Sequence, residues 1–162
     1  MSLRSLPVAS AAVVGTRTND NAAPGNIGEF VTSSVPSGSA VQLTSTTPTN
    51  VTSISLTAGD WDLEGVVDYA LASSTSITTL IAGVSLTSAT LAPQTGGGGL
   101  GTDPTASYMT AAQVPGNGNM SLETSTVRLS IAATTTVFLV ASATFTVLTC
   151  FAFGTIRARR VR

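Results

Sequence analysis

Four of the eight carboxylates in the chain, Asp60, Asp62, Glu64 and Asp68, fall at even positions of one short stretch. On an extended strand all four project to one side, while Trp61, Leu63, Gly65, Val67 and Tyr69 project to the other. Such a row can hold a Ca²⁺ ion, or supply the acid and base of a hydrolytic site. Calcium sites, however, gather converging ligands and loop carbonyls, and a flat stripe better suits a solvated outer face over an aromatic inner one. A third use is ion pairing. Arg157, Arg159, Arg160 and Arg162 are four of only seven arginines, and an arginine fork matches a carboxylate with two parallel hydrogen bonds. The two clusters predict an Arg–carboxylate ladder between neighbouring strands or between subunits. This reading predicts that reversing Asp62 to Arg weakens assembly, and an unchanged oligomer mass would count against it.

Other chemistries lack their residues. The chain contains no His and no Lys, which removes the commonest general base, the commonest metal ligand and the Schiff-base amine. Gly96-Gly97-Gly98-Gly99 resembles a phosphate loop only superficially, because a P-loop ends in Gly-Lys-Ser/Thr and opens a helix, whereas Pro104 follows here. Cys150 is the single cysteine and sits in an apolar run, so it reads as a small buried hydrophobe without a disulfide. The Arg cluster continues the register of a strand and lacks the Lys and stacking aromatics of a nucleic-acid tail. Asn50-Val51-Thr52 and Asn119-Met120-Ser121 match the glycosylation triplet, as chance allows in so Ser/Thr-rich a chain. We expect no enzyme, no cofactor, no metal and no nucleic-acid partner.

The elements that must position these residues are strands. The chain has 162 residues, one domain's worth, with net charge −1 and 9% charged residues against an average of about 25%. Ser and Thr together contribute 47 residues, a composition that favours sheet faces over helices. No charged residue occurs between Arg128 and Arg157, a run long enough to cross a bilayer, with a basic end that would suit a cytoplasmic flank. Its period is two: Val137, Leu139, Ala141, Ala143, Phe145, Val147, Thr149, Phe151 and Phe153 fall at odd positions, and Thr136, Ser142, Thr144, Thr146, Cys150 and Gly154 at even ones. We therefore expect strands with one face in a core, and no membrane.

Residues 1–26 carry turn chemistry at Pro7, Gly15, Asn19-Asp20-Asn21 and Pro24-Gly25-Asn26. They read as an extended arm, not a signal peptide, ahead of a β-sandwich domain over 27–162. Within that domain strands are predicted near 27–34, 39–45, 50–57, 61–70, 76–87, 122–131, 135–148 and 150–161, with turns at Pro36-Ser37-Gly38, Thr47-Pro48-Thr49-Asn50, Ala58-Gly59-Asp60 and Ala132-Ala133-Thr134. Residues 92–118 read as a long, weakly structured excursion in which Tyr108 and Met109 stand out among polar neighbours. The expected fold class is all-β, a jelly-roll sandwich with an extended N-terminal arm.

Several segments resemble a module common in structural proteins of tailed bacteriophages. They are Gly28-Glu29-Phe30-Val31, the stretch Thr52-Ser53-Ile54-Ser55-Leu56-Thr57-Ala58-Gly59-Asp60-Trp61-Asp62, Gly65-Val66-Val67, Thr135-Thr136-Val137-Phe138-Leu139-Val140-Ala141, Ala143-Thr144-Phe145-Thr146, and the ending Gly154-Thr155-Ile156-Arg157-Ala158-Arg159-Arg160-Val161-Arg162. This module ends tail-fibre-like proteins and also occurs free-standing in virions. The resemblance implies a virion part, assembled in the host cytoplasm, without enzymatic activity. More loosely the pattern is similar to trimeric jelly rolls of the C1q/tumour-necrosis-factor type, an analogy of fold alone. An arm of small residues with Arg4 and Arg17 suits docking on a shell by ordering on contact. The expectation is a head decoration or cement protein, a homotrimer bound to the major capsid protein. The alternative is a receptor-binding tail-fibre tip with a host receptor or glycan as partner. The residues expected at an interface are Arg4, Arg17, Asp60, Asp62, Glu64, Asp68, Arg157, Arg159 and Arg160.

Overall fold

A computed structural model of the chain describes residues 18, 20–72, 75–91, 107–113 (backbone only), 118–146 and 149–162. Among these residues there are ten strands, all paired antiparallel, in two sheets. The first sheet holds β1 (Phe30–Val35), β2 (Val41–Gln42), β4 (Gly59–Leu71), β7 (Gly118–Glu123), β8 (Val127–Ile131) and β10 (Cys150–Arg160). The second holds β3 (Thr49–Leu56), β5 (Ser76–Ser85), β6 (Ser107–Gln113) and β9 (Thr135–Thr146). The first is ordered β1-β10-β4-β7, with β2 also on β10 and β8 also on β4; the second is ordered β3-β9-β5-β6. If β1/β2 and β7/β8 are each counted as one interrupted strand, the orders become first-eighth-third-sixth and second-seventh-fourth-fifth. Only β5 and β6 then follow one another within a sheet. Every other connection crosses to the opposite sheet, so the chain wraps around a shared core.

Period-two patterning builds that core. Along β4 every odd residue from Trp61 to Leu71 is buried and every even one is partly exposed. Trp61, Leu63, Val67 and Tyr69 thus meet Val137, Leu139 and Ala141 of β9, Leu80 of β5 and Leu56 of β3 in one cluster. Tyr69 spans the layers, its hydroxyl donating to the Ile81 carbonyl of the facing sheet at 2.5 Å. This bond satisfies the polar end of a buried ring.

The long uncharged run forms β9 and β10, and among the described residues no helix is long and apolar enough to cross a membrane. One detail of its periodicity changes. Odd positions face the core in β9, but in β10 the buried positions are even: Cys150, Ala152, Gly154, Ile156, Ala158 and Arg160. Phe151 and Phe153, expected inside, lie half-buried on the outer face. The connection between the strands shifts the pleat by one residue, which exchanges the two faces.

Other boundaries move for local reasons. The single strand expected over 122–131 is β7 and β8, interrupted where the Thr124 N–H donates to the Gly65 carbonyl and the Gly65 N–H to Thr124 Oγ1, both at 2.8 Å. The strand expected over 39–45 shrinks to β2, after a 3-10 turn at Ser37–Ser39 that follows Pro36. Within the excursion over 92–118, the segment Ser107–Gln113 is a strand on β5. The remainder up to residue 106, and 114–117, lies outside the described residues. So does the arm to residue 17, with Arg4 and Arg17. Ahead of β1, the Gly28 N–H donates to the Arg160 carbonyl and the Arg160 N–H to the Glu29 carbonyl, both at 2.9 Å. The Asn21 amide donates to the Phe30 carbonyl at 2.7 Å and accepts from the Phe30 N–H at 2.8 Å, copying a strand pair with one side chain.

Candidate functional site

The two clusters singled out by sequence meet because β4 and β10 are register partners: Glu64 stands opposite Arg157, Asp62 opposite Arg159, and Trp61 opposite Arg160. The pleat then divides them between two faces. Even residues of β4 and odd residues of β10 point outward, so Asp62, Glu64, Arg157 and Arg159 share the outer face, while Arg160 turns inward with Trp61.

The inner half is a clasp. Arg160 is 4% exposed and its guanidinium lies over the Trp61 ring, 4.3 Å from the centroid. Nε donates to Glu29 Oε2 at 2.9 Å, Nη1 to the Ala58 carbonyl at 2.7 Å, and Nη2 to Thr57 Oγ1. Glu29 is itself buried, and its Oε2 also accepts from the Gly25 N–H at 2.8 Å. Burial alone would raise the Glu29 carboxyl, but the Gly25 amide and the Arg160 guanidinium together hold it below its ordinary range. Trp61 Nε1 donates to the Thr57 carbonyl at 2.9 Å. Gly59 adopts φ +142°, and a Cβ there would collide with Arg160 Nη1. One arginine thus gathers the segment before β1, the β3–β4 turn and the last strand. A desolvated charge requires this degree of pairing.

The outer half is the ladder, formed within one chain. Arg157 Nε meets Glu64 Oε1 at 2.5 Å, and Arg162 Nε meets Asp60 Oδ2 at 2.7 Å. Arg128 of β8 clamps Asp62 with Nε on Oδ1 and Nη2 on Oδ2, the latter at 3.0 Å. Asp60 Oδ1 accepts from Ser130, and Asp68 Oδ1 from Ser121. The Ser130 hydroxyl, aided by Arg162, keeps the Asp60 carboxyl below its usual range; the Arg128 hydrogen bonds do the same for Asp62. Every carboxylate of the predicted stripe has a partner inside the chain, and no group of three or more metal-ligating side chains occurs among the described residues.

Arg159 departs from this pattern. It faces Asp62 across the strands, yet both Asp62 oxygens go to Arg128 on the other side. Among the described residues no carboxylate pairs with it, and its guanidinium stands 6.0 Å from the ring of Phe30, its register partner on β1. The two border a shallow depression of about 440 Å³ with Asp62, Glu64, Thr126 and Arg157. Cys150 lies elsewhere, buried against the core, and burial pushes its thiol up to about 11, which keeps it inert.

Of the residues expected at an interface, Asp60, Asp62, Glu64, Asp68, Arg157 and Arg159 lie on one face, and Arg160 lies inside. Sequence reasoning missed Glu29, Arg128 and Phe30. Glu29 and Phe30 are chain neighbours at the start of β1 and Arg128 lies in β8, both far in sequence from the two clusters, and only the strand order brings them to the site. The chain matches no protein-family model, no curated protein sequence and no solved structure.

Proposed function

We propose that this chain is a structural protein of a tailed-bacteriophage virion, a jelly-roll domain that decorates and stabilises the head as a homotrimer. The first-eighth-third-sixth and second-seventh-fourth-fifth strand orders support the jelly-roll reading, and jelly rolls recur in viral capsid domains. The observation that carries the reading is the clasp. Leu56 to Asp62 and the Arg-rich ending are the two segments on which the resemblance to the phage module chiefly rests. They touch through Thr57, Ala58 and Trp61 on Arg160, and through Asp60 on Arg162. The segments quoted for the resemblance thus make a buried contact in this chain, which supports reading them as a structural motif.

Self-association is supported by β10. Phe151 and Phe153 face outward opposite Ala70 and Asp68 of β4, all partly exposed, in the half of the sheet away from the ion pairs of Asp60, Asp62 and Glu64. Burying that face against copies of itself is the common fate of such a patch. The open depression beside Arg159 favours a second reading, an adhesive tail-fibre tip. Quantitative mass spectrometry of purified particles of the encoding phage separates the two. A copy number comparable to that of the major shell protein is expected; a handful of copies per particle assigns the chain to the tail.

A further inference from the structure

We propose that the depression beside Arg159 is a binding site for an acidic sugar, a uronic-acid-like ring bearing one carboxylate. The inference comes from the geometry of this face and stands whether the domain sits on a head or a tail.

The depression combines three chemistries. Arg159 offers a guanidinium that no carboxylate of the described chain occupies, and a fork of this kind pairs bidentately with a carboxylate. Phe30, 37% exposed, is one of three large apolar side chains left exposed among the described residues, and its ring suits the C–H face of a sugar. Around them lie Asp62, Glu64, Thr126 and Arg157. The ion pairs hold these groups in place while leaving them hydrogen-bonding capacity: each carboxylate oxygen has two lone pairs and each guanidinium five donors. A polyhydroxylated ring uses acceptors and donors together.

The alternatives match less of the site. A phosphate or a bare acidic side chain would use Arg159 but leave Phe30 and the spare donors and acceptors of Asp62, Glu64, Thr126 and Arg157 without a partner. A neutral sugar would leave Arg159 unanswered. The volume of about 440 Å³ lies in the range of small-molecule sites, about 300–1,000 Å³.

The test is a titration of the ¹⁵N-labelled full-length protein, followed by amide and guanidinium NMR signals. The probes are D-glucuronate, D-glucose and an acidic dipeptide, N-acetyl-Glu-Glu-amide. Glucuronate is expected to shift signals of Phe30, Arg157 and Arg159 with millimolar affinity. Arg159→Gln should weaken it at least tenfold, in line with the loss of one charge-assisted hydrogen-bonded contact, and Phe30→Leu severalfold. Both residues are exposed, so both variants are expected to keep the wild-type spectrum outside the depression. Equal shifts with glucose, or glucuronate affinity unchanged in Arg159→Gln, overturn the proposal. So does the absence of any shift at about 20 mM, well above a millimolar Kd. Dipeptide binding with glucuronate silent also overturns it, and makes the face a protein-docking surface.

Discussion

Arg160 shows how one residue can hold the ends of a domain together, and what that costs. Its guanidinium satisfies Glu29, Ala58 and Thr57 and covers Trp61, so removing it strands a buried carboxylate. We expect Arg160→Met to cost about 3–5 kcal/mol in urea unfolding, the range for breaking one side of a buried pair. Arg160→Lys should recover little, since a single ammonium cannot span the three acceptors. The same pair sets a pH dependence. Because the folded protein holds Glu29 below its ordinary range, the charged form stabilises the fold. That contribution is complete at neutral pH and is lost from about pH 5 downward, as the carboxylate is forced to protonate. In Glu29→Gln the acid limb of a stability-versus-pH curve should be shallower. The outer pairs behave differently: Arg128, Arg157 and Arg162 are at least half exposed, so water and salt screen them and they add little to stability.

At the scale of the strand, β10 decides both the core and the outer surface. Its inward residues are small apart from Ile156 and Arg160, and its large apolar residues, Phe151 and Phe153, point out. Gly154 lies at its middle with φ +150°, where a Cβ would collide with the Val66 carbonyl of β4. We expect Gly154→Ala to destabilise by about 2 kcal/mol or more, through strain and the lost close approach of β4, as a lowered urea midpoint with unchanged slope. This strand also marks what the sequence can and cannot reveal. The strands β3, β4, β5, β9 and β10 are legible within a few residues because each alternates over a long stretch. The carboxylate stripe is legible for the same reason. The pleat of β10 is not, because a one-residue shift in the preceding connection exchanges its faces without altering its composition. Size misleads as well. Phenylalanine looks like core and alanine does not, yet alanine lets two sheets approach. The partners Glu29, Arg128 and Phe30 are invisible for a topological reason: they reach the site only because β1 and β8 flank β10 and β4.

At the scale of the whole molecule, the ion pairs of Asp60, Asp62 and Glu64 and the outward phenylalanines lie toward opposite ends of one sheet face, with Asp68 opposite Phe153. Phe153 and Arg159 are six residues apart on β10, about 20 Å of extended chain, so an assembly contact at one end leaves the depression at the other accessible. The charges of the ladder are spent inside the chain: Asp60, Asp62 and Glu64 each already hold an arginine. An assembly held by intermolecular ion pairs would dissociate in salt, since at about 1 M the Debye length falls to about 3 Å. One held by Phe151 and Phe153 would not. The proposed trimer should therefore keep the mass of three chains by light scattering in about 1 M NaCl. Asp62→Arg, which disturbs a contact within the chain, should leave that mass unchanged. Phe151→Ser with Phe153→Ser should reduce it to one chain while the unfolding midpoint of the isolated domain stays near wild type, because neither ring belongs to the core cluster. Dissociation by salt, or a trimer indifferent to both serines, would move the subunit contact off this face and onto a strand edge.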